Sequence, residues 1–159
     1  MELKFVDVDP SGFNLVLGQS HFIKTVEDVY EAIVSSSPSI KFGVAFCEAS
    51  GDSLIRYDGN DPKCQEKAVD VASKVGAGHL FVLVLKDSYP INIMEKLRAV
   101  PEVVTLFCAS ANPVQVVVAE TDQGRGVLGV IDGGSPKGVE KESDKENRRV
   151  FLRKIGYKR

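Results

Sequence analysis

The sequence predicts an α+β or α/β fold, a single compact domain over residues 1–159 with a mixed β-sheet of about seven strands and about four helices. Three observations lead there. Hydrophobic periodicity switches repeatedly between two and 3.6 residues along the chain. Strand patterns sometimes adjoin and sometimes flank a helical pattern, so the regular βαβ alternation of a Rossmann domain is not kept. The length of 159 residues, with 43% hydrophobic and 26% charged side chains, suits one core of ordinary composition.

Two strand patterns open the chain, Leu3–Val8 and Phe13–Leu17, with Pro10, Ser11 and Gly12 as the turn. In "TVEDVYEAI", Val26, Val29, Tyr30 and Ile33 fall on one helical face, and Thr25 with Asp28 is a capping start. Strands follow at Ile40–Glu48 and Ser53–Tyr57. Asp61-Pro62 is the N-cap and first position of a second helix. Its apolar face is Cys64, Ala68, Val71, Ala72 and Val75, and Gly76 and Gly78 end it. The apolar run Leu80–Leu85 reads as a buried strand, and Pro90 opens a short third helix. Two β-rich segments, "EVVTLFCA" and "PVQVVVAET", are separated by the turn Ser110–Pro113. Six glycines then punctuate Gly124–Gly138, and Ser143-x-x-Glu146 is the capping box of a last helix that Gly156 ends.

Charge and cysteine usage narrow the function classes. A formal charge of −2 argues against a dedicated nucleic-acid binder. The start "MELKFVDVD" lacks a basic segment followed by an apolar one, and Leu80–Leu85 is far too short to cross a membrane. Cys47, Cys64 and Cys108, odd in number and without C-x-x-C spacing, read as reduced, buried thiols of a cytoplasmic protein.

The candidate chemistry begins with the histidines. His79 stands between a Gly-Ala-Gly break and the apolar run, at the mouth of a buried strand. Imidazole serves near neutrality as nucleophile, base, acid or ligand. The bland alternative is a core-edge ring bonded to a carbonyl. His21, in the loop "LGQSHFIKT", is either a second functional histidine or an exposed polar residue. Two distant histidines and three scattered cysteines do not make a zinc site.

"GRGVLGVIDGGSPKG" offers backbone N–H groups, Arg125 and Lys137 to a phosphate, or simply forms a hairpin. It is neither a P-loop nor a dinucleotide fingerprint, since its glycines precede or lie within a strand pattern. The polar cluster of "CEASGD" and "YDGND" offers Glu48, Asp52, Asp58, Asn60 and Asp61, whose carboxylates are candidates for ribose hydroxyls or for hydrated Mg²⁺. Taken singly, each reads more readily as a turn or cap residue. Asn112, in "SANP", presents a donor and an acceptor to a base edge or marks an Asn-Pro turn.

Taken together, "GQSHFIKTVEDVYEA", "KFGVAFCEASGDSLIRYDGND", "GAGHLFVLVLKDSYPINIM", "FCASANPVQVVVAE", "GRGVLGVIDGGSPKGVE" and "LRKIGYK" resemble the adenosine-specific kinase family, small proteins found largely in archaea and thermophilic bacteria. The likeness runs in order along nearly the whole chain. It implies a protein that binds adenosine and AMP in preference to ADP and ATP and carries a phosphohistidine, assigned to His79 with His21 as the alternative. Beside it, the reading of the residues gives Glu48, Asp58, Asn60, Asn112, Arg125 and Lys137 as substrate-binding candidates and no metal site, with Mg²⁺ as the one cofactor a phosphate donor could bring. A homotrimer is the expected assembly.

Three readings follow. In the first, the protein is an enzyme that transfers a phosphoryl group through His79. In the second, it is a non-catalytic sensor of adenosine or AMP. In the third, the basic end "RRVFLRKIGYKR" binds RNA, against the overall charge.

Overall fold

Six consecutive apolar residues can be buried only where both faces of their strand are covered. The computed structural model, which describes residues 1–159, meets that demand around Leu80–Lys86. The strands are β1 (Glu2–Val8), β2 (Asn14–Ser20), β3 (Lys41–Cys47), β4 (Ile55–Gly59), β5 (Leu80–Lys86), β6 (Val103–Ser110), β7 (Val114–Glu120) and β8 (Arg125–Asp132). The helices are α1 (Thr25–Ser36), α2 (Pro62–Val75), α3 (Met94–Arg98) and α4 (Glu142–Lys154), with a 3-10 turn at Pro90–Asn92.

β5 is the centre of a five-stranded sheet, ordered β4-β3-β5-β2-β6. Its side chains alternate between two cores. Phe81, Leu83 and Leu85 join Phe42, Val44 and Phe46 of β3 under Val29 and Ile33 of α1 and Leu97 of α3. Leu80, Val82 and Val84 face the other way. They meet Ala68, Val71 and Val75 of α2 and Val114, Val116 and Val118 of β7. The second layer on that side includes a three-stranded sheet, ordered β1-β7-β8.

The α+β class and the four helices are as expected. The eighth strand is β8, whose glycines weaken its strand signal, yet it pairs with β7 from Val114↔Asp132 to Glu120↔Arg125. Every ladder is antiparallel. The strand–helix–strand segments that suggested parallel pairing do join parallel strands, β2 to β3 and β4 to β5. In each case an antiparallel strand lies between the two, so no parallel ladder forms.

Local signals held at α2 and shifted at α1 and α4. Asp61 accepts from the Cys64 N–H at 3.0 Å, Pro62 is the first helical residue, and Gly76 closes the helix at φ 61°. Thr25 does not cap α1. Its hydroxyl donates to the Phe22 carbonyl at 2.5 Å and meets Ser20 Oγ at 2.7 Å. Helix α4 starts one residue earlier than Ser143, and Asp144 accepts from the Lys141 N–H at 2.8 Å. None of its residues is buried. No helix is long and apolar enough to cross a membrane.

Burial pushes the Cys47 and Cys108 thiols up to about 11 and Cys64 to about 12, and no disulfide links them. All three remain protonated and poor nucleophiles at neutral pH.

One contact fixes how closely α2 approaches the sheet. A Cβ on Gly43 of β3 would lie 2.3 Å from the Gln65 nitrogen and 2.4 Å from the Cys64 carbonyl carbon. Both are helix backbone and cannot move aside. Gly43→Ala is expected to destabilise by about 3 kcal/mol, read as a lower urea midpoint at unchanged m-value. An unchanged midpoint would contradict the packing described.

Candidate functional site

His79 follows Gly78 in the turn that joins α2 to β5, and it adopts φ 62°, a left-handed conformation uncommon for a residue with a side chain. Such a conformation costs on the order of 1 kcal/mol and persists where the surroundings over-determine it. Two backbone bonds do so here. The His79 N–H donates to the Cys47 carbonyl at 2.8 Å, and the Ser20 N–H donates to the His79 carbonyl at 3.0 Å. The half-buried imidazole stacks on Phe46, with ring centroids 5.8 Å apart and planes at 20°. Phe46 belongs to the core under α1, so the ring lies on that face of the sheet.

The second histidine converges on the same end of the sheet. His21 directly follows Ser20 and donates its N–H to the Glu102 carbonyl at 3.1 Å. Its side chain is exposed and lies beside Phe22. The two histidines, 58 positions apart in the sequence, are thus joined through the single Ser20–His79 backbone bond.

Behind His21 lies a buried carboxyl. Glu102 is only 3% exposed, and its Oε1 has no hydrogen-bond partner. Burial pushes its carboxyl above the ordinary range, and a hydrogen bond to Asp28 of α1 pushes it the same way. Asp28 in turn holds Lys24 at 3.0 Å. Burial beside Asp28 thus biases the Glu102 carboxyl toward its neutral form.

Arg56 of β4 stands directly opposite Phe46 in the β3–β4 ladder. Directly opposed residues share a face, so Arg56 lies on the Phe46 face of the sheet, where His79 stacks. Glu48 fixes the guanidinium: its Oε2 accepts from Arg56 Nη2 at 3.0 Å and from the Leu54 N–H at 3.0 Å. The Leu54 N–H first, and Arg56 next, hold the Glu48 carboxyl below its usual range. Beside Arg56 is a cleft of about 460 Å³ lined by Phe22, Ile23, Lys24, Tyr57 and Asp58 among others.

The remaining candidates are scattered. Asp58 is on the same face, opposite Val44, with one oxygen accepting from the Gly59 N–H at 2.7 Å. Asn60 ties the start of β3, accepting from the Phe42 N–H at 2.9 Å and donating to the Ile40 carbonyl at 2.7 Å. Asn112 lies at the other end of β2, where Ser110 pairs with Leu15 and Asp132 takes the Ser110 hydroxyl. That is roughly 17 Å from the Ser20 end at 3.3 Å per residue. Lys137 is exposed in the connection after β8.

Arg125 borders a second cleft, of about 560 Å³, between α2 and the β7–β8 hairpin, together with Gly76, Gly78 and Gly124. Its guanidinium is already occupied by Glu120 and by the Lys74 and Val75 carbonyls, 3.2 Å away, at the C-terminus of α2. The structure thus brings His79, His21 and Glu48 together and leaves Asn60, Asn112 and Lys137 outside.

Arg56 and Glu102 escaped the sequence reading. For Glu102 a signal existed: "PEVVTLF" puts a carboxyl at the mouth of an apolar strand, the same pattern that marks His79. Arg56 gave none, being one polar residue in a short strand. No group of three or more His, Cys, Asp or Glu side chains is arranged to hold a metal. At the basic C-terminus, Arg148 pairs with Glu140 and Arg149 with Glu146.

Comparison with known proteins adds three findings. A family model described as adenosine specific kinase matches residues 6–158. The crystal structure of the PH1918 protein from Pyrococcus horikoshii OT3 superposes with a TM-score of 0.93 at 42% identity, covering 99% of this chain and 98% of that one. No curated protein matches.

The raised Glu102 carboxyl has a measurable consequence. The Glu102 carboxyl titrates higher in the folded chain than in the unfolded one. Its contribution to stability is therefore complete below the ordinary glutamate range and is lost as pH rises through the folded value. Glu102→Gln keeps a donor toward Asp28 without the charge. Thermal melts should show the variant a few degrees more stable than wild type at pH 8, about 3 °C for each kcal/mol at this length, with the gap closing toward pH 4. A wild-type advantage at pH 8 would contradict the upward shift of the Glu102 carboxyl.

Proposed function

The chain belongs to the adenosine specific kinase family, and from that premise we propose that it binds adenosine and AMP and transfers a phosphoryl group through a phosphohistidine at His79. The observation that carries this reading is the His79 turn. The backbone is locked by bonds from two strands while the ring lies half-open on Phe46. A positioned imidazole of this kind suits in-line attack, because little freedom remains to be lost on reaching the reactive geometry.

In the first step an imidazole nitrogen attacks phosphorus of a phosphoanhydride donor. A P–N bond forms as the bond to the donor oxygen breaks, and the leaving oxygen takes the electron pair. In the second step the adenosine 5′-oxygen attacks the same phosphorus, the P–N bond breaks, and the 5′-hydroxyl proton leaves to solvent. Any Mg²⁺ travels with the donor phosphates. His21, exposed one residue from Ser20, is the alternative carrier.

A second reading, a sensor that binds adenosine or AMP without turnover, also has an observation in its favour. Arg125–Asp132 of the glycine-rich segment is strand β8, and Arg125 is engaged by Glu120 and by α2. This part of the segment is therefore not shaped as a cradle for a donor triphosphate.

We also infer a homo-oligomer, with a trimer as the family expectation. Leu3, Phe5 and Ile131 of the small sheet are exposed, as are Val150 and Phe151 of α4. Five large apolar side chains in water favour burial against another copy.

The test separates the carriers. After incubation with a labelled phosphate donor, acid-labile phosphate should map to His79, persist in His21→Asn and vanish in His79→Asn. Asparagine tolerates the left-handed backbone, so loss of label would not reflect a broken turn. Label that survives His79→Asn would overturn the assignment. Substoichiometric protein that leaves excess adenosine unconverted would favour the sensor.

A further inference from the structure

Arg56 has hydrogen-bonding capacity that the folded chain does not use. A guanidinium carries five donors; here Nη2 donates to Glu48, while the buried Nε has no partner. A buried unpaired donor costs on the order of 1–3 kcal/mol, more when charged. Such a group calls for an explanation, and an anion held by the remaining donors of the same guanidinium is one. The anion that a guanidinium holds with the largest gain is a carboxylate or a phosphate taken up by two parallel N–H bonds.

The surroundings favour the phosphate of a nucleotide. Arg56 pairs with Phe46 across the ladder and His79 stacks on the Phe46 ring, so an anion bound to Arg56 lies on the histidine's side of the sheet. The adjoining 460 Å³ cleft is walled by Phe22, Ile23 and Tyr57, which are 50%, 40% and 59% exposed. Exposed aromatic and aliphatic side chains of this kind offer stacking faces to a base. Asp58, two residues from Arg56 on the same strand face, keeps one carboxylate oxygen free for hydroxyls. Glu27 and Asp58 also line the cleft and oppose further negative charge.

We propose that Arg56 is the phosphate-recognising residue of this cleft, which takes a nucleoside monophosphate with the phosphate on the guanidinium and the base against Phe22 and Tyr57. Glu48, anchored to Leu54, is a positioning residue that holds the fork in its plane. The proposal rests on the reading that the protein binds adenosine and AMP, and it separates the two ligands: Arg56 contributes to AMP binding and not to adenosine binding.

Titration calorimetry with adenosine and AMP tests it on wild type, Arg56→Gln and Arg56→Lys, each first checked for a cooperative melt. Arg56→Gln should weaken AMP at least tenfold while adenosine stays within twofold. Arg56→Lys keeps the charge but loses the fork, and should weaken AMP several-fold with adenosine again unchanged. If Arg56→Gln does not fold, Arg56→Lys decides alone. Equal losses for both ligands, or no change in AMP binding, would overturn the role of Arg56 and leave the adenosine reading standing. A wild-type protein that binds neither ligand would overturn both.

Discussion

The double burial of β5 is the constraint on which the rest of the molecule depends. A strand apolar on both faces needs a layer on each side, and the chain supplies α1 with α3 on one and α2 with the small sheet on the other. It also needs a ladder on each edge, and β2 and β3 supply those. Once both ladders form, the register of β5 is fixed, since a one-residue slip would exchange its two cores. The residue at its mouth is then fixed as well. His79 is the last position before continuous cover begins, so its backbone belongs to the sheet while its ring reaches the edge of the core.

That position also accounts for which groups are left free to react. The three cysteines sit inside the layers, and burial holds each thiol protonated. Glu102 is drawn to its proton by the same desolvation. The groups that stay accessible at this end of the sheet are the two imidazoles and the Arg56–Glu48 pair. Burial thus sorts the polar residues into those enclosed by the layers and those that stay open at the sheet's end.

How much of this was legible in the sequence depended on whether a signal was local. The Asp61-Pro62 start and Gly76 stop of α2 are local, and both stand as read. The turn glycines and the polar break before Leu80 marked His79 correctly as a strand mouth. Thr25 misled because its hydroxyl had a competing partner, Ser20, which only the tertiary structure brings near. Arg125 and Lys137 looked like a phosphate cradle because glycines and cations were adjacent in the chain. The β7–β8 pairing draws Arg125–Asp132 into a strand and leaves Lys137 beyond its end, and the helix α2 terminus, distant in sequence, claims the arginine. Arg56 could not be found from the sequence at all, because its meaning comes from a cross-strand neighbour ten residues away.

The relocation of the cation matters for the chemistry. Phosphoryl transfer asks little covalent work of a protein and much electrostatic stabilisation. A cradle on the glycine hairpin would place the positive charge beside α2, while the His79 ring lies on the opposite face, against Phe46. Charge and nucleophile would then be divided by the sheet. With Arg56 as the anion-binding group, the guanidinium would lie on the Phe46 face of the sheet, the face on which the imidazole stacks. Charge and nucleophile would then share one side of the sheet.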